Sequence, residues 1–326
     1  MASVANVTIH ASQFPEAVRR DLIESLRTRQ VNHKFHYDSV KQTHQWLALH
    51  QAYSPSRTDA DCAAIYDRGF AAAAERIGKR RTHLIGLGCG GGQKDTRLLK
   101  LLQAAGAEVS YTPADVSVAM TLVAREAASS VVTEDRCSPL VCDLATATDL
   151  AAVLDKLAPP EATRLITCFG MMPNFEPDVI LSRLAGLMRA GDWLLLSANL
   201  APGPDYAAGV ESILPLYDNA LTREWLMTFL LNLGIEREDG RMRFGIEQDA
   251  SGLKRVAAHF AFARNCAIHA EGERFDFRAG DSVRLFFSYR HTPELVRQLL
   301  RTHGVELLAE WVSASGEEGV FLGRRS

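Results

Sequence analysis

The sequence predicts an α/β protein in which a doubly wound, mostly parallel sheet is joined to a second lobe. From residue 82 onward, short apolar runs alternate with helical stretches, a pattern typical of successive βαβ units. A glycine-rich turn directly follows the first of these runs, in THLIGLGCGGGQKD. Hydrophobic residues make up 47% of the 326-residue chain, which is enough to bury a core on both faces of such a sheet.

The chain divides into four predicted parts. The first has apolar positions every three or four residues and is expected to be helical from residue 13. The alternation of strands and helices breaks after Ala201 and resumes near residue 291, where a helix precedes two strands, the last one antiparallel. We expect the chemistry in a cleft between the two lobes. The parts are 1–80 (N-terminal helices of the second lobe), 81–200 (sheet domain), 201–290 (insert completing the second lobe) and 291–326 (end of the sheet).

Composition and charge exclude several kinds of protein. The formal net charge is -3, so no overall positive field would attract nucleic acid. The six cysteines include no C-x-x-C pair, which argues against a disulfide framework and against a zinc site, and no metal is expected. No signal peptide is evident, and no apolar run approaches the roughly 18 residues that span a bilayer. We therefore expect a cytoplasmic monomer or homodimer that binds a small molecule and no membrane.

Acidic residues at two strand ends indicate which cofactor the glycine-rich turn would hold. Asp115 ends the next predicted strand, where a carboxylate can accept hydrogen bonds from a ribose diol. NAD and S-adenosylmethionine both carry that ribose. Asp143 ends a third strand, where it could accept the adenine amino group, and this favours S-adenosylmethionine. Two alternatives stay open: Asp143 could cap a following helix, and Lys94 could be a solvated helix residue.

Several segments resemble a known enzyme family. LGCGGGQKDTRLL, YTPADVS, VCDL and FGMMPNFEPD resemble the S-adenosylmethionine-dependent histidine N-alpha-methyltransferases of ergothioneine biosynthesis and their relatives, which include fungal enzymes acting on prenylated tryptophan. The resemblance extends over nearly the whole chain and implies a Rossmann-like, seven-stranded class I methyltransferase sheet with S-adenosylmethionine as cofactor. The cofactor-binding residues that it implies are Gly88, Gly90, Lys94, Asp115, Asp143 and Gly170.

The same resemblance implies a set of residues that bind the methyl acceptor. HYDSV, AYSPSR, LPLYDNA and VRLFFSYRHTPELVRQLL also resemble the family. By this likeness Asn174 holds the substrate amino acid and Tyr217 binds its carboxylate. A second substrate tyrosine of the family falls on Ser54, although Tyr53 is adjacent and could take that role. Asn174 could instead make only a local turn bond, and Tyr217 could be a packing residue.

One departure from the family changes the expected substrate. The family's histidine-reading glutamate falls on Phe286, while its serine partner is retained as Ser288. A phenyl ring cannot accept a hydrogen bond from imidazole N–H, so we expect an apolar or aromatic substrate side chain rather than histidine. Phe286 could alternatively belong to the core. Because strand residues alternate, we expect only one of Phe286 and Phe287 to face the cleft.

These observations predict a small-molecule N-methyltransferase acting on an amino acid, or an amine derived from one, other than histidine. Methyl transfer needs positioning and water exclusion rather than a nucleophilic side chain. Tyr37, in HYDSV, is the candidate catalytic residue, lining the amine pocket and relaying a proton. Three alternatives remain: methylation of oxygen, sulfur or carbon in a specialised metabolite, a nicotinamide oxidoreductase, and a non-catalytic S-adenosylmethionine-binding protein.

Overall fold

The computed structural model describes residues 4–326, in which helices lie on both faces of a central sheet. Capping side chains fix several helix starts; the Ser39 hydroxyl, for example, accepts from the Gln42 amide in a capping box. The helices are α1 (Pro15–Thr28), α2 (Val40–Tyr53), α3 (Pro55–Thr58), α4 (Ala60–Ile77), α5 (Gln93–Ala104), α6 (Val118–Ala128), α7 (Leu150–Leu157), α8 (Pro177–Leu187), α9 (Tyr206–Tyr217), α10 (Ala220–Asn232) and α11 (Pro293–Thr302).

The strands between these helices form a large sheet, a small sheet and a hairpin. They are β1 (Thr8–Ile9), β2 (Thr82–Leu87), β3 (Val109–Asp115), β4 (Leu140–Val141), β5 (Thr163–Cys168), β6 (Trp193–Asn199), β7 (Gly240–Gln248), β8 (Lys254–Phe262), β9 (Cys266–Ala270), β10 (Glu273–Phe277), β11 (Ser282–Tyr289), β12 (Val305–Val312) and β13 (Glu318–Arg325).

The large sheet has the predicted doubly wound topology. Its strand order is β1-β4-β3-β2-β5-β6-β13-β12, with parallel pairing from β1 to β6 and antiparallel pairing of β13 with both of its neighbours. The α/β fold class is confirmed. The sheet has eight strands instead of seven because the two-residue β1 adds to the edge beside β4, and two residues are too few to give a strand pattern in the sequence.

Neighbouring residues of the central strands enter two different cores. On β2, Leu84 joins one apolar cluster and Ile85 the other, and Leu165 and Ile166 divide in the same way on β5. Helices α4 and α5 cover one face, whereas α7, α8 and α11 cover the other. With both faces buried, the carboxyl ends of the strands are left as the accessible edge for a ligand.

A second lobe packs over that edge. It contains the antiparallel sheet β11-β8-β7, the hairpin of β9 and β10, and a core shared by α1, α10 and the segment that follows α1. Strand β11 is a terminal strand of its sheet, and the chain around Gln30 pairs with it only near Arg284. The second half of β11 instead lies against the Met172–Asn174 turn, where Asn174 Nδ2 donates to the Phe287 carbonyl oxygen. Within residues 4–326, no helix has the length and apolar character needed to cross a membrane.

Candidate active site

A cavity of about 660 Å³ lies between the carboxyl ends of the parallel strands and the second lobe. All the site residues predicted from the sequence line it, which brings together segments from the whole length of the chain. They are Tyr37, Tyr53, Gly88, Gly90, Lys94, Asp115, Asp143, Gly170, Asn174, Tyr217, Phe286 and Ser288.

The glycine-rich turn after β2 brings the backbone close to its neighbours. Gly88 has a φ of 60°, and a Cβ added there would lie 1.8 Å from the sulfur of Met171. Gly90 has a φ of 51°, and the indole of Trp46 in α2 lies against it. A side chain at either position would be strained and would displace a wall of the cavity.

The carboxylate of Asp115 is held at the end of β3 by backbone amides. Its two oxygens accept from the Gly90 amide at 3.2 Å and from the Ser117 amide at 3.1 Å. Burial raises the pKa of Asp115 to about 6, so the group is still ionised at neutral pH. A carboxylate in this position retains acceptor capacity for hydroxyl donors in the cavity.

Asp143 leaves one carboxylate oxygen without a hydrogen bond. Its Oδ1 accepts from the Ala145 amide at 2.9 Å, while Oδ2 is buried, has no hydrogen-bond donor and lies 3.6 Å from Lys34 Nζ. The alternative that Asp143 caps a helix is wrong, because α7 begins only at Leu150. An unsatisfied buried acceptor beside the cavity fits an adenine amino group.

Lys94 extends toward the cavity from the first turn of α5. Its ammonium lies 4.0 Å from the ring centroid of Tyr66, whose hydroxyl donates to the buried carboxylate of Glu318. Burial lowers the pKa of Lys94, and the nearby Glu318 opposes that effect. The alternative of a solvated helix lysine is therefore wrong. Gly170, at the end of β5, has a φ of 71° and donates its amide to Ser197 at 3.0 Å.

Tyr217 links two polar side chains, Ser288 and Arg290, on the side of the cavity formed by the second lobe. Its hydroxyl lies 2.8 Å from the Ser288 hydroxyl and accepts from Arg290 Nη2 at 2.8 Å. The ring of Phe286 lies 6.0 Å from both the Tyr217 ring and the Trp225 ring. The interpretation of Tyr217 as a packing residue alone is wrong, since its hydroxyl is part of a polar network.

Asn174 is held by a strand distant in sequence. It lies in a short 3-10 turn, Met172–Asn174, and its Nδ2 donates to the Phe287 carbonyl oxygen at 2.8 Å. The alternative of a purely local turn bond is therefore wrong. This bond orients the amide and leaves Oδ1 as an acceptor, together with the second N–H of Nδ2 as a donor, for a ligand.

Phe286 and Phe287 both line the cavity, so the expectation that only one would face it is wrong. Their neighbours differ, as alternation requires: Phe286 meets Trp225, while the guanidinium of Arg255 lies 4.9 Å from the Phe287 ring. Both rings are exposed to the cavity because β11 is a terminal strand. The imidazole of His33 touches both, with centroid separations of 5.3 and 4.6 Å.

His33 is a neutral group in this wall. Burial lowers its pKa to about 3, with smaller contributions from His36 and Arg284. Both ring nitrogens are shielded from solvent and lack a hydrogen-bond partner. His33 is therefore a neutral ring at neutral pH, whereas the guanidinium groups of Arg255 and Arg284 lie over the adjacent Phe287 ring at 4.9 and 5.0 Å.

The two remaining predicted tyrosines have different surroundings. The Tyr37 ring packs against Trp46 and Trp225 at 6.0 and 5.5 Å. Burial and the charge of Asp115 raise the pKa of Tyr37 above its ordinary value, so its hydroxyl stays protonated at neutral pH. Tyr53 is 51% exposed at the end of α2.

Sequence reasoning missed several residues that line the cavity, among them His33, Trp46, Lys34 and Arg290. Arg290 had a usable signal, since it lies two residues after Ser288 and four after Phe286, the spacing of one strand face. His33 and Lys34 immediately precede the HYDSV region, but nothing in their local pattern distinguishes them from surface residues.

Three comparisons place this geometry among known proteins. Residues 18–325 match the family model described as histidine-specific methyltransferase, SAM-dependent. An N-methyltransferase of Aspergillus flavus, imqF, is 25% identical over 249 residues, covering 72% of this chain and 66% of the relative, just under two thirds of its length.

Solved structures share the fold. A candidate methyltransferase of Thermobifida fusca superposes with a TM-score of 0.50 at 10% identity, covering 92% of this chain and 97% of the other. Magnesium protoporphyrin IX methyltransferase of Synechocystis, solved with bound S-adenosylhomocysteine, gives a TM-score of 0.45 at 13% identity, covering 88% and 95%. With the family model matching nearly the whole chain, this protein belongs to the S-adenosylmethionine-dependent, histidine-specific methyltransferase family and is a methyltransferase.

Proposed function

We propose that the protein N-methylates an amino acid, or an amine derived from one, that has an apolar or aromatic side chain and is not histidine. The observation that carries this proposal is the environment of Phe286. A phenyl ring stands where the family has its imidazole-reading carboxylate, and the hydroxyl of Ser288 is engaged by Tyr217. The phenyl ring cannot accept a hydrogen bond from an imidazole N–H, which leaves the Ser288 hydroxyl as the one polar member of the side-chain-reading pair.

The surfaces around Phe286 suit a flat apolar group. The Trp225 ring and the neutral His33 ring lie beside it, and the cavity continues past both. Aromatic rings prefer tilted or offset neighbours of this kind, worth about 0.5–1.5 kcal/mol beyond the buried area. An imidazolium or other cationic side chain would lose hydration here and would also meet the positive charges of Arg255 and Arg284.

The acceptor amine would lie between Asn174 and Tyr37. Asn174 offers Oδ1, which accepts from an amine N–H, because its Nδ2 is bonded to Phe287. Tyr37 and Trp46 add aromatic faces, which favour a methylated ammonium by about 0.5–2 kcal/mol through cation–π attraction. Since the pKa of Tyr37 is raised, we assign it to orienting the amine through its hydroxyl rather than to removing a proton as a base.

The cofactor half would hold the methyl donor. Asp115 would accept the ribose hydroxyls, the free oxygen of Asp143 would accept the adenine amino group, and Lys94 would face the carboxylate of the methionine part. Bound S-adenosylmethionine supplies an electrophilic methyl group. The protein's own contribution is to align the amine with that group and to exclude water. The name of the Aspergillus relative, an N-methyltransferase, supports nitrogen as the acceptor atom.

Two measurements on one preparation test this proposal. Calorimetric titration with S-adenosylhomocysteine measures cofactor binding, and mass spectrometry of reactions with the common amino acids and aromatic amines detects each methyl group gained. We expect methylated aromatic products. Methylated histidine as the main product would overturn the assignment of Phe286, and cofactor binding without any methylated amine would favour another acceptor atom or a non-catalytic role.

A further inference from the structure

Lys34 is a buried ammonium that lies between carboxylates of the two lobes. Its side chain is 4% exposed and lines the cavity. The ammonium donates to Asp21 Oδ2 on α1 at 2.5 Å, and it lies 3.6 Å from Asp143 Oδ2, just beyond the end of β4. Lys34 therefore joins α1, which packs in the second lobe, to the edge of the large sheet.

The other contacts of Asp143 fix its backbone and leave one carboxylate oxygen to Lys34. The Asp143 amide donates to the Ser12 hydroxyl at 2.9 Å, and its Oδ1 accepts from the Ala145 amide at 2.9 Å. Within residues 4–326, Lys34 is the one cation within 4.0 Å of the Asp143 carboxylate. Because 3.6 Å is too long for a hydrogen bond, Lys34 attracts Oδ2 without occupying its lone pairs.

This geometry keeps a buried charge both compensated and available. Burying an ionised carboxylate is unfavourable unless an opposite charge lies nearby. A lysine in direct contact would meet that requirement, but it would take up an acceptor position that a ligand could use. At 3.6 Å the ammonium of Lys34 compensates the charge of Asp143, and Oδ2 remains open to an N–H donor in the cavity.

Asp21 sets the distance between Lys34 and Asp143. Its Oδ2 makes the shorter of the two contacts with Lys34, and its Oδ1 accepts from the exposed Arg20 at 3.3 Å. A lysine side chain has a flexible four-carbon stem, so the position of its ammonium depends on the partner that holds it. Without the Asp21 carboxylate, Lys34 would be free to close the gap and donate to Asp143 directly.

We infer that Lys34 and Asp21 are positioning residues for cofactor binding, through which α1 of the second lobe keeps the free oxygen of Asp143 open to the adenine amino group. This inference rests on the adenine assignment of Asp143 in the proposed function and goes beyond it. Both residues act through Asp143, and Asp21 is not among the residues that line the cavity.

The first test is a double-mutant cycle of the affinity for S-adenosylhomocysteine, measured by calorimetry on the full chain. We expect Lys34→Met to weaken binding at least about tenfold in the wild-type background, but by less than about twofold in the Asp143→Asn background. The exposed Lys41→Met is the matched control and should leave the affinity unchanged. Losses that multiply would show that Lys34 acts independently of Asp143 and would overturn the inference.

The second test uses Asp21→Asn, which also decides if Lys34→Met does not fold. Because the released ammonium would then donate to Asp143, we expect this change outside the cavity to weaken S-adenosylhomocysteine binding at least about threefold. The double variant Asp21→Asn/Lys34→Met should bind no more weakly than Lys34→Met alone. An unchanged affinity of Asp21→Asn would overturn the role of α1.

A second probe, S-inosylhomocysteine, carries an oxygen where adenine has its amino group. The wild-type protein should favour S-adenosylhomocysteine over this probe at least about tenfold, and Lys34→Met should reduce the ratio to within about threefold, since a misplaced carboxylate distinguishes the two groups poorly. A merely structural role would weaken both ligands equally. An unchanged ratio in Lys34→Met would therefore overturn the inference.

These outcomes are separable from the proposed reaction. Neither probe contains a methyl acceptor, so the coupling of Lys34 to Asp143 stands even if no amino acid is methylated. If methylated amino acids form but Asp143→Asn leaves the affinity for S-adenosylhomocysteine unchanged, the reaction stands, while the adenine assignment and this inference both fail. If Asp143→Asn weakens binding and Lys34→Met does not, only this inference is overturned.

Discussion

The two halves of the cavity are built in different ways. The cofactor half comes from consecutive strand ends of one sheet, where Gly88, Asp115 and Asp143 follow β2, β3 and β4 in order. The acceptor half is assembled from distant segments: Tyr217 at the end of α9 reaches Ser288 on β11, and Asn174 after β5 reaches the Phe287 carbonyl. Under the proposed function, cofactor binding would therefore depend on local geometry, and substrate choice on contacts between distant segments.

This difference concentrates specificity in very few positions. If position 286 corresponds to the family's glutamate, as the resemblance implies, a single change in the acceptor half replaces a charge by a phenyl ring within the same strand. Position 286 stays 7% exposed within an apolar cluster of the second lobe. The glycine-rich turn of the cofactor half does not tolerate substitution in this way. Gly88 and Gly90 have positive φ angles, and a Cβ at either position would come too close to a neighbouring side chain. Substitutions in the acceptor half should consequently change substrate preference, whereas substitutions in the cofactor half should change cofactor affinity.

Phe286→Glu should produce the largest effect. A carboxylate beside Trp225 and neutral His33 replaces an apolar surface with a partly desolvated charge, so we expect kcat/KM for an aromatic acceptor to fall about a hundredfold and the preference to move toward histidine. Competition between the two acceptors, followed by mass spectrometry, measures that ratio. Phe286→Leu keeps an apolar wall and is the matched control. An unchanged ratio would place Phe286 in the core.

Asp115→Ala should act on the other half alone. If Asp115 accepts the ribose hydroxyls, as proposed, its loss should weaken S-adenosylhomocysteine binding by at least about tenfold. The substitution also frees the Gly90 amide, which loosens the turn. Calorimetry measures the dissociation constant, and the exposed Asp135→Ala is the control. An unchanged constant would remove the ribose assignment.

The cofactor half could be predicted from the sequence because its residues follow recognisable strands. THLIGLG and EVSYTPAD each show a strand and the residue at its end, and parallel strands bring such ends together. For the acceptor half, the sequence indicated which residues line the cavity but not which of them contact one another. That Ser288 and Arg290 both bond Tyr217 depends on how the insert packs, which no local pattern encodes.

The halves should also respond oppositely to acid. Burial lowers the pKa of His33 to about 3 and of His36 to about 4, so the unfolded chain takes up protons below pH 6.5 that the folded second lobe does not. The contribution of these neutral histidines to the free energy of unfolding is complete above about pH 6.5, and it is lost as pH falls toward their folded-state pKa values. Through the fully buried His36 alone, the free energy of unfolding should be about 2 kcal/mol lower at pH 5 than at neutral pH.

In the sheet, burial raises the pKa of Asp95 and Asp115 to about 6, so the folded state takes up protons first and is favoured as pH falls from about 6 toward 3.8. This gain in stability offsets the loss caused by buried His83, whose pKa is lowered to about 4. Hydrogen exchange at pH 7 and pH 5, corrected for intrinsic rates, compares the two regions. We expect protection to fall more in α10 and β11 than in β2 and β3. Equal losses would contradict the assigned shifts.

Tyr53→Phe should give the smallest effect. It tests whether Tyr53, rather than the adjacent Ser54, contacts the acceptor at the rim of the cavity. Tyr53 is half exposed, whereas the adjacent Ser54 hydroxyl bonds Ser56 at 2.9 Å. A hydroxyl already bonded to water gains little from a ligand, so we expect KM for the acceptor to change by less than about twofold. The matched Tyr217→Phe should raise it far more, because that hydroxyl joins Ser288 and Arg290. Comparable increases in KM for the two variants would mean that the rim closes over the acceptor and that Tyr53 takes the place of the family's second substrate tyrosine.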